Sequence, residues 1–134
     1  GTTQLQYVAA IGGVMQRVLD PILTELSHLP YEGKLRRLAS TVDVAREKLL
    51  HVVELVEKKR DKEYHDLMAG RLCQMEMIVL ISYLLLQDAL VDKERTAMVE
   101  SFIRQFMPEL DSHYEVISSS DYSMIDNHES ILGM

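Results

Sequence analysis

Ten consecutive residues, Met77 to Leu86 (MIVLISYLLL), are apolar on every face but for Ser82. A helix built from such a run has no polar side to give to water, so the rest of the chain has to surround it. The run is well short of the about 20 apolar residues that cross a bilayer core. The sequence shows neither an apolar span of that length nor a stretch that reads as a signal peptide. The segment is therefore expected to be the central helix of a bundle. Leu84, in its middle, is expected to be a core residue, so that Leu84→Asp would unfold the domain by burying an unpaired carboxylate.

The surrounding helices can be read from apolar spacing. Leu35, Leu38, Val42, Ala45, Leu49, Val52 and Val56 recur in steps of three and four, which places them on one face of a helix. Upstream, Leu5, Val8, Gly12, Met15, Leu19, Ile22 and Leu26 follow the same rhythm with a gap at Gly12. Asp20-Pro21 interrupts them, because Pro has no amide to donate inside a helix yet suits the first turn after an Asp cap; a kink or boundary is expected there. His28-Leu29-Pro30 punctuates the link to the next helix, and Lys58 to Asp66 (KKRDKEYHD) reads as a solvated helix end holding a turn. A last stripe, Val99, Phe102, Phe106, Leu110, Tyr114 and Ile117, passes Pro108, where another kink or a fresh start is expected. From Ser118 the periodicity fades, and SSSDYSMIDNHESILGM reads as a tail lying over the surface, held in part by Ile125, Ile131 and Leu132. No strand pattern of useful length occurs, so the expected fold class is all-α, an up-and-down bundle of about four long helices.

A chain of 134 residues is one domain's worth and can bury a core without disulfides or metals. Its net charge of −7 argues against a nucleic-acid surface, which needs clustered Lys and Arg to displace counterions. The single cysteine, Cys73, can form no internal disulfide, and with no leader in the sequence the expected compartment is the cytoplasm.

Patterns that could carry chemistry are few. Di-iron bundles need inward Glu from two helices and Glu-x-x-His pairs from two more. Only Glu25 and His28 have that spacing, beside the helix-ending Pro30, so no metal site is expected. His51, His65, His113 and His128 lie among polar neighbours without a second ligand at i+4 and read as exposed or partly exposed side chains. Cys73 has no CxxC partner and no basic surroundings to activate it, and reads as a buried structural thiol. No Gly-x-Ser-x-Gly, phosphate-cradling glycine loop or His-Glu-x-x-His occurs. On the residues alone this is a helical module without an active site, and no catalytic residue is assigned.

The chain starts GTTQLQ. Thr3 with Gln6 three residues later makes a capping box for a helix start, which by itself accounts for both. The same six residues resemble the end of the Tyr-Glu-Gly-Thr-x-x-Ile/Leu-Gln motif of FAD-dependent acyl-CoA dehydrogenases. In that family the Glu removes the α-proton of an acyl-CoA thioester while the flavin accepts the β-hydrogen as hydride. The resemblance implies that the base is the residue before Gly1, that Gly1 lies beside the acyl group, and that Thr2, Thr3 and Gln4 touch FAD.

The remainder is similar to the extra helical domain that follows the catalytic core in a subset of bacterial acyl-CoA dehydrogenases. The similar features are YLLLQDA (Tyr83 to Ala89), FIRQFMPEL (Phe102 to Leu110), and the SxDxS pattern from Ser119 to Ser123 with a close on Leu132-Gly133. This implies that residues 1–20 are the last helix of the dehydrogenase core and 21–134 the extension. It also implies a structural and oligomerising role, with the rest of the dehydrogenase and homo-oligomer subunits as partners. FAD and acyl-CoA would belong to the parent, with no cofactor and no activity expected of this piece alone. An apolar face left open around Leu5 to Leu19 would make such a piece associate. Tyr31-Glu32-Gly33 repeats the motif's letters, but Lys34 stands in place of the Thr, and Glu32 fits as a first-turn acid of the second helix. The other reading is a self-standing helical interaction module whose capped first helix begins at GTTQLQ.

Overall fold

The computed structural model of the chain describes residues 17–59 and 61–132, with side chains as far as Ser119. Its elements are α1 (Asp20–Ser27), α2 (Gly33–Lys58), α3 (Lys62–Val91), a 3-10 turn (Lys93–Arg95) and α4 (Thr96–Leu132). No strand occurs among the described residues, and the fold is an all-α bundle as the spacing predicts. The helices are unequal: α1 has 8 residues, whereas α2, α3 and α4 have 26, 30 and 37.

Direction follows from cross-helix contacts. Asp43 early in α2 meets Tyr83 late in α3, and Val56 at the end of α2 meets His65 at the start of α3, so these two helices are antiparallel. α4 returns alongside α2 in the same direction, pairing Lys34 with Glu100, Lys48 with Asp111 and His51 with Tyr114. The links are short and capped. Asp61 accepts the Glu63 amide at 3.0 Å to start α3, and Asp92 accepts the Glu94 amide at 3.1 Å to start the 3-10 turn.

The core forms where the apolar stripes face one another. On α2, Leu35, Val42, Ala45, Leu49, Val52 and Val56 are buried and Leu38 is half-buried. On α4, Val99, Leu110 and Ile117 are buried, with Phe102, Phe106 and Tyr114 packed at the edge. Between them Leu72, Met75, Val79, Tyr83 and Leu86 of α3 have no exposure at all.

The enclosure of α3 is nevertheless incomplete. Leu84 is 42% exposed and Met77 50%, so Leu84 is not the core residue the sequence predicts, and Leu84→Asp would place its carboxylate at the surface. α3 is also longer than its ten-residue run: by length and composition it could cross a membrane, and half of that stretch is buried inside the bundle.

Pro108 neither breaks nor restarts a helix, since α4 continues through it. Pro108 and Arg104 are both exposed, so water can reach the Arg104 carbonyl that loses its amide partner. Burial of Ile103 and Leu110 on the core side carries the helix past a residue that costs about 3 kcal/mol in a helix interior. The tail expected to lie irregularly over the surface is part of the same helix as far as Leu132. The side chains of Ile125, Ile131 and Leu132, and that of His128, lie outside the described ones.

Four local readings change as well. The polar stretch after α2 is not wholly solvated, because Tyr64 is buried and carries the Lys59 ammonium over its ring, 5.0 Å from the centroid. Asp20 is the first residue of α1 and not its cap, a position taken by Leu19, with Pro21 in the first turn. Glu32 precedes α2 as the capping position without a side-chain bond, and Gly33 follows at φ +58°, a conformation that a Cβ disfavours. Of the first stripe, Leu5, Val8, Gly12 and Met15 lie outside the described residues; Leu26 is buried, Ile22 faces solvent, and Leu23 takes the inward place.

Leu84 and Leu86, two of the four leucines in the apolar run, should therefore respond differently. Leu86→Ala is expected to cost about 2–5 kcal/mol, and Leu84→Ala less than about 1 kcal/mol. Urea midpoints of the two variants check this; equal losses would mean that the run is buried all round.

Candidate functional site

A polar cluster joins the α1 end of the chain to α2 and α3. Tyr83 is fully buried, and its hydroxyl donates to the Asp43 carboxylate at 2.5 Å. Burial raises the Tyr83 phenol far above its ordinary pKa, helped by the hydrogen bond to Asp43 and by that carboxylate's charge. Burial and then the charge of Asp43 push Tyr31 up to about 12. The Tyr31 hydroxyl donates to the Leu26 carbonyl at 2.7 Å, which folds the link back onto the end of α1, and Arg46 donates to Thr24 Oγ1 at 2.8 Å, which ties α1 to α2. Glu76, on the same side of α3, has its carboxyl raised by burial and then by Asp20. Phenols held this firmly protonated act as hydrogen-bond donors, Tyr83 between helices and Tyr31 from the link to α1, and not as bases.

The histidines are occupied too. His113 Nδ1 accepts from Arg71 at 3.0 Å, which leaves the proton on Nε2, and Nε2 donates to Gln74 Oε1 at 2.9 Å. That ring joins α4 to α3. His51 joins α2 to α4 through the Tyr114 hydroxyl at 2.9 Å. His65 Nε2 donates to the Val56 and Lys59 carbonyls, 2.8 and 2.5 Å away, and so closes the C-terminal end of α2. These side chains are structural bridges that sequence spacing could not reveal, because each partner lies on another helix or across a turn. His28 Nδ1 donates to the Thr24 carbonyl at 2.8 Å. Among the described residues no group of three or more His, Cys, Asp or Glu could hold a metal ion.

Cys73 is half-buried, and burial followed by the charge of Glu76 raises its thiol, the opposite of what a nucleophile needs. It lines an open groove of about 400 Å³ between α3 and α4, with Met77, Ile81, Phe102 and Phe106 as walls and Gln74 and Glu109 at the polar edge. A second groove, of about 230 Å³ between α2 and α4, contains Lys48, whose ammonium is 2.8 Å from Asp111.

Gly1, Thr2, Thr3 and Gln4, the residues that the resemblance assigns to substrate and FAD, lie outside the described residues. The described grooves do not fit FAD: the larger has no Lys or Arg in its lining and carries Glu109, and the smaller spends its one cation on Asp111, so a diphosphate would meet acid without a free donor cluster. No chemical step is derived from them.

Residues 19–124 match the family model described as acyl-CoA dehydrogenase C terminal. No curated protein and no solved structure matches the chain at a significant level.

The tyrosine cluster gives the bundle an alkaline limit. In the unfolded chain both phenols ionise near their ordinary value of about 10. Above that pH the unfolded state releases protons that the folded state keeps, so the stabilisation is full below about pH 10 and is lost as pH rises toward about 12. Urea midpoints should therefore fall more steeply across this range for wild type than for a Tyr31→Phe, Tyr83→Phe double variant. Parallel curves would remove the phenols from the alkaline transition. At neutral pH Tyr83→Phe should cost about 1–3 kcal/mol, because Asp43 loses its donor.

Proposed function

The chain belongs to the acyl-CoA dehydrogenase C-terminal family, and from that premise we propose that it is the C-terminal helical part of an FAD-dependent acyl-CoA dehydrogenase. The parent oxidises acyl-CoA thioesters to 2-enoyl-CoA in the cytoplasm, and this part extends its core and sets subunit packing. The observation that carries the reading is the family match over residues 19–124, which spans α1, α2, α3 and most of α4. The chemistry of those helices supports a packing role, since Tyr31, Tyr83, Tyr114 and the described histidines are engaged in hydrogen bonds and burial raises the Cys73 thiol pKa. The start of α1 at Asp20, beside the start of the family match, supports a division into residues 1–20, the end of the catalytic core, and 21–134, the extension.

In this reading Gly1 sits by the acyl group and Thr2, Thr3 and Gln4 contact FAD in the parent. A few hydrogen bonds of about 1 kcal/mol each cannot offset the several kcal/mol of freedom lost on association, so this chain alone should purify colourless. The full-length parent carrying Thr2→Ala and Gln4→Ala should release flavin more readily than its wild type. Visible spectra and flavin-release rates test both statements. Flavin bound tightly by the chain alone would mislocate the site, and unchanged release from the double variant would leave GTTQLQ as a capped helix start.

A further inference from the structure

Asp20 and Leu23 of α1 share a cavity of about 10 Å³ with Leu50 and Val53 of α2 and Glu76 of α3. That is room for one water at most. Arg17 and Arg46 line it too, yet both are engaged elsewhere. Arg17 pairs with Glu54 at 3.3 Å, and Arg46 Nη2 donates to Thr24 Oγ1 at 2.8 Å and to the Asp20 carbonyl at 3.4 Å. Among the described residues neither the Asp20 nor the Glu76 carboxylate takes part in a hydrogen bond or an ion pair.

Docking of α1 therefore sets one carboxylate near another across a space that holds too little water to screen them. Burial and then the Asp20 charge raise the Glu76 carboxyl above its ordinary range. The other charged or titratable groups around Glu76 are Arg17 from the turn before α1, Arg46 from α2, and Cys73 on α3 itself. α4 contributes no residue to this cavity among the described ones. If α1 lifts away, Glu76 regains water and loses its like-charged neighbour.

We propose that Glu76 and Asp20 make an acid-favoured clasp, in which α1 docks on α3 with uptake of a proton by Glu76 and loosens when that proton is lost. A carboxyl that binds its proton more tightly docked than undocked favours docking as pH falls. The stabilisation is full below the ordinary Glu value of about 4.3 and is lost as pH rises through the raised value of the docked state. α2, α3 and α4 stay packed throughout, because their shared core does not pass through this cavity. The clasp is a property of this chain and goes beyond the packing role given above.

Amide hydrogen exchange of the whole chain, corrected for the intrinsic effect of pH, tests the clasp. Protection of α1, read at the Leu23 amide that bonds the Leu19 carbonyl, is expected to rise several-fold from about pH 8 to about pH 5, while the amides around Leu72 and Val79 do not follow it. Glu76→Gln should hold α1 at the acid level of protection across the whole range. Asp20→Asn should make the slope shallower, since the neighbouring charge is gone and burial remains. Glu25→Gln, which removes an exposed acid from the same helix, should keep the wild-type slope. A flat wild-type profile, a slope that survives Glu76→Gln, a slope untouched by Asp20→Asn, or one abolished by Glu25→Gln overturns the clasp. None of these outcomes touches the flavin experiment, which reads Thr2 and Gln4.

Discussion

The desolvation of α3 is the condition on which the rest of the structure depends. Leu72, Met75, Val79, Tyr83 and Leu86 are stacked along one side of that helix with no exposure, and burying a side chain of this size is worth about 1.5–3 kcal/mol. One partner helix cannot cover such a face. α2 and α4 do so by lying parallel to each other and antiparallel to α3, and the short capped links on either side of α3 allow that arrangement. α1 is too short to contribute much apolar area, and polar bonds from Tyr31 and Arg46 hold it in place.

Burying α3 also brings polar groups inside. Tyr83 carries a hydroxyl into the core, and the structure satisfies it with the Asp43 carboxylate. The Ser82 hydroxyl, also fully buried, has no hydrogen-bond partner among the described residues, a local cost that the surrounding apolar contacts outweigh. The same economy governs the histidines: His51, His65 and His113 each join two helices or close a helix end. These three rings serve as bridges within the stretch, residues 19–124, that matches the acyl-CoA dehydrogenase C-terminal family.

Sequence reasoning reaches only candidate sites carried by a contiguous motif, and the one it offers, at Gly1 to Gln4, lies outside the described residues. GTTQLQ can be read because its residues are neighbours in the chain, whereas the Tyr31–Asp43–Tyr83 cluster, built from a link and two helices, and the Arg71–His113–Gln74 bridge between α3 and α4 join residues far apart in sequence. Apolar spacing shows that α2 and α3 each have a buried side, yet it gives no rotational register between them. Asp43 therefore reads as one more polar residue in a helix until Tyr83 is opposite it.

Sequence periodicity by itself determined the helical class, the buried faces of α2 and α4, and the existence of a central apolar helix, because a 3.6-residue period fixes which residues share a face. The bundle decided what a period cannot hold. It carried α4 through Pro108, since the exposed side of a packed helix can leave a carbonyl to water while the other side stays buried. It also turned Leu84 outward although the residues around it are as apolar as a core, because helices that cover one side of α3 leave the other side open. Hydrophobicity is a property of each residue, but burial depends on which neighbours are present to supply it.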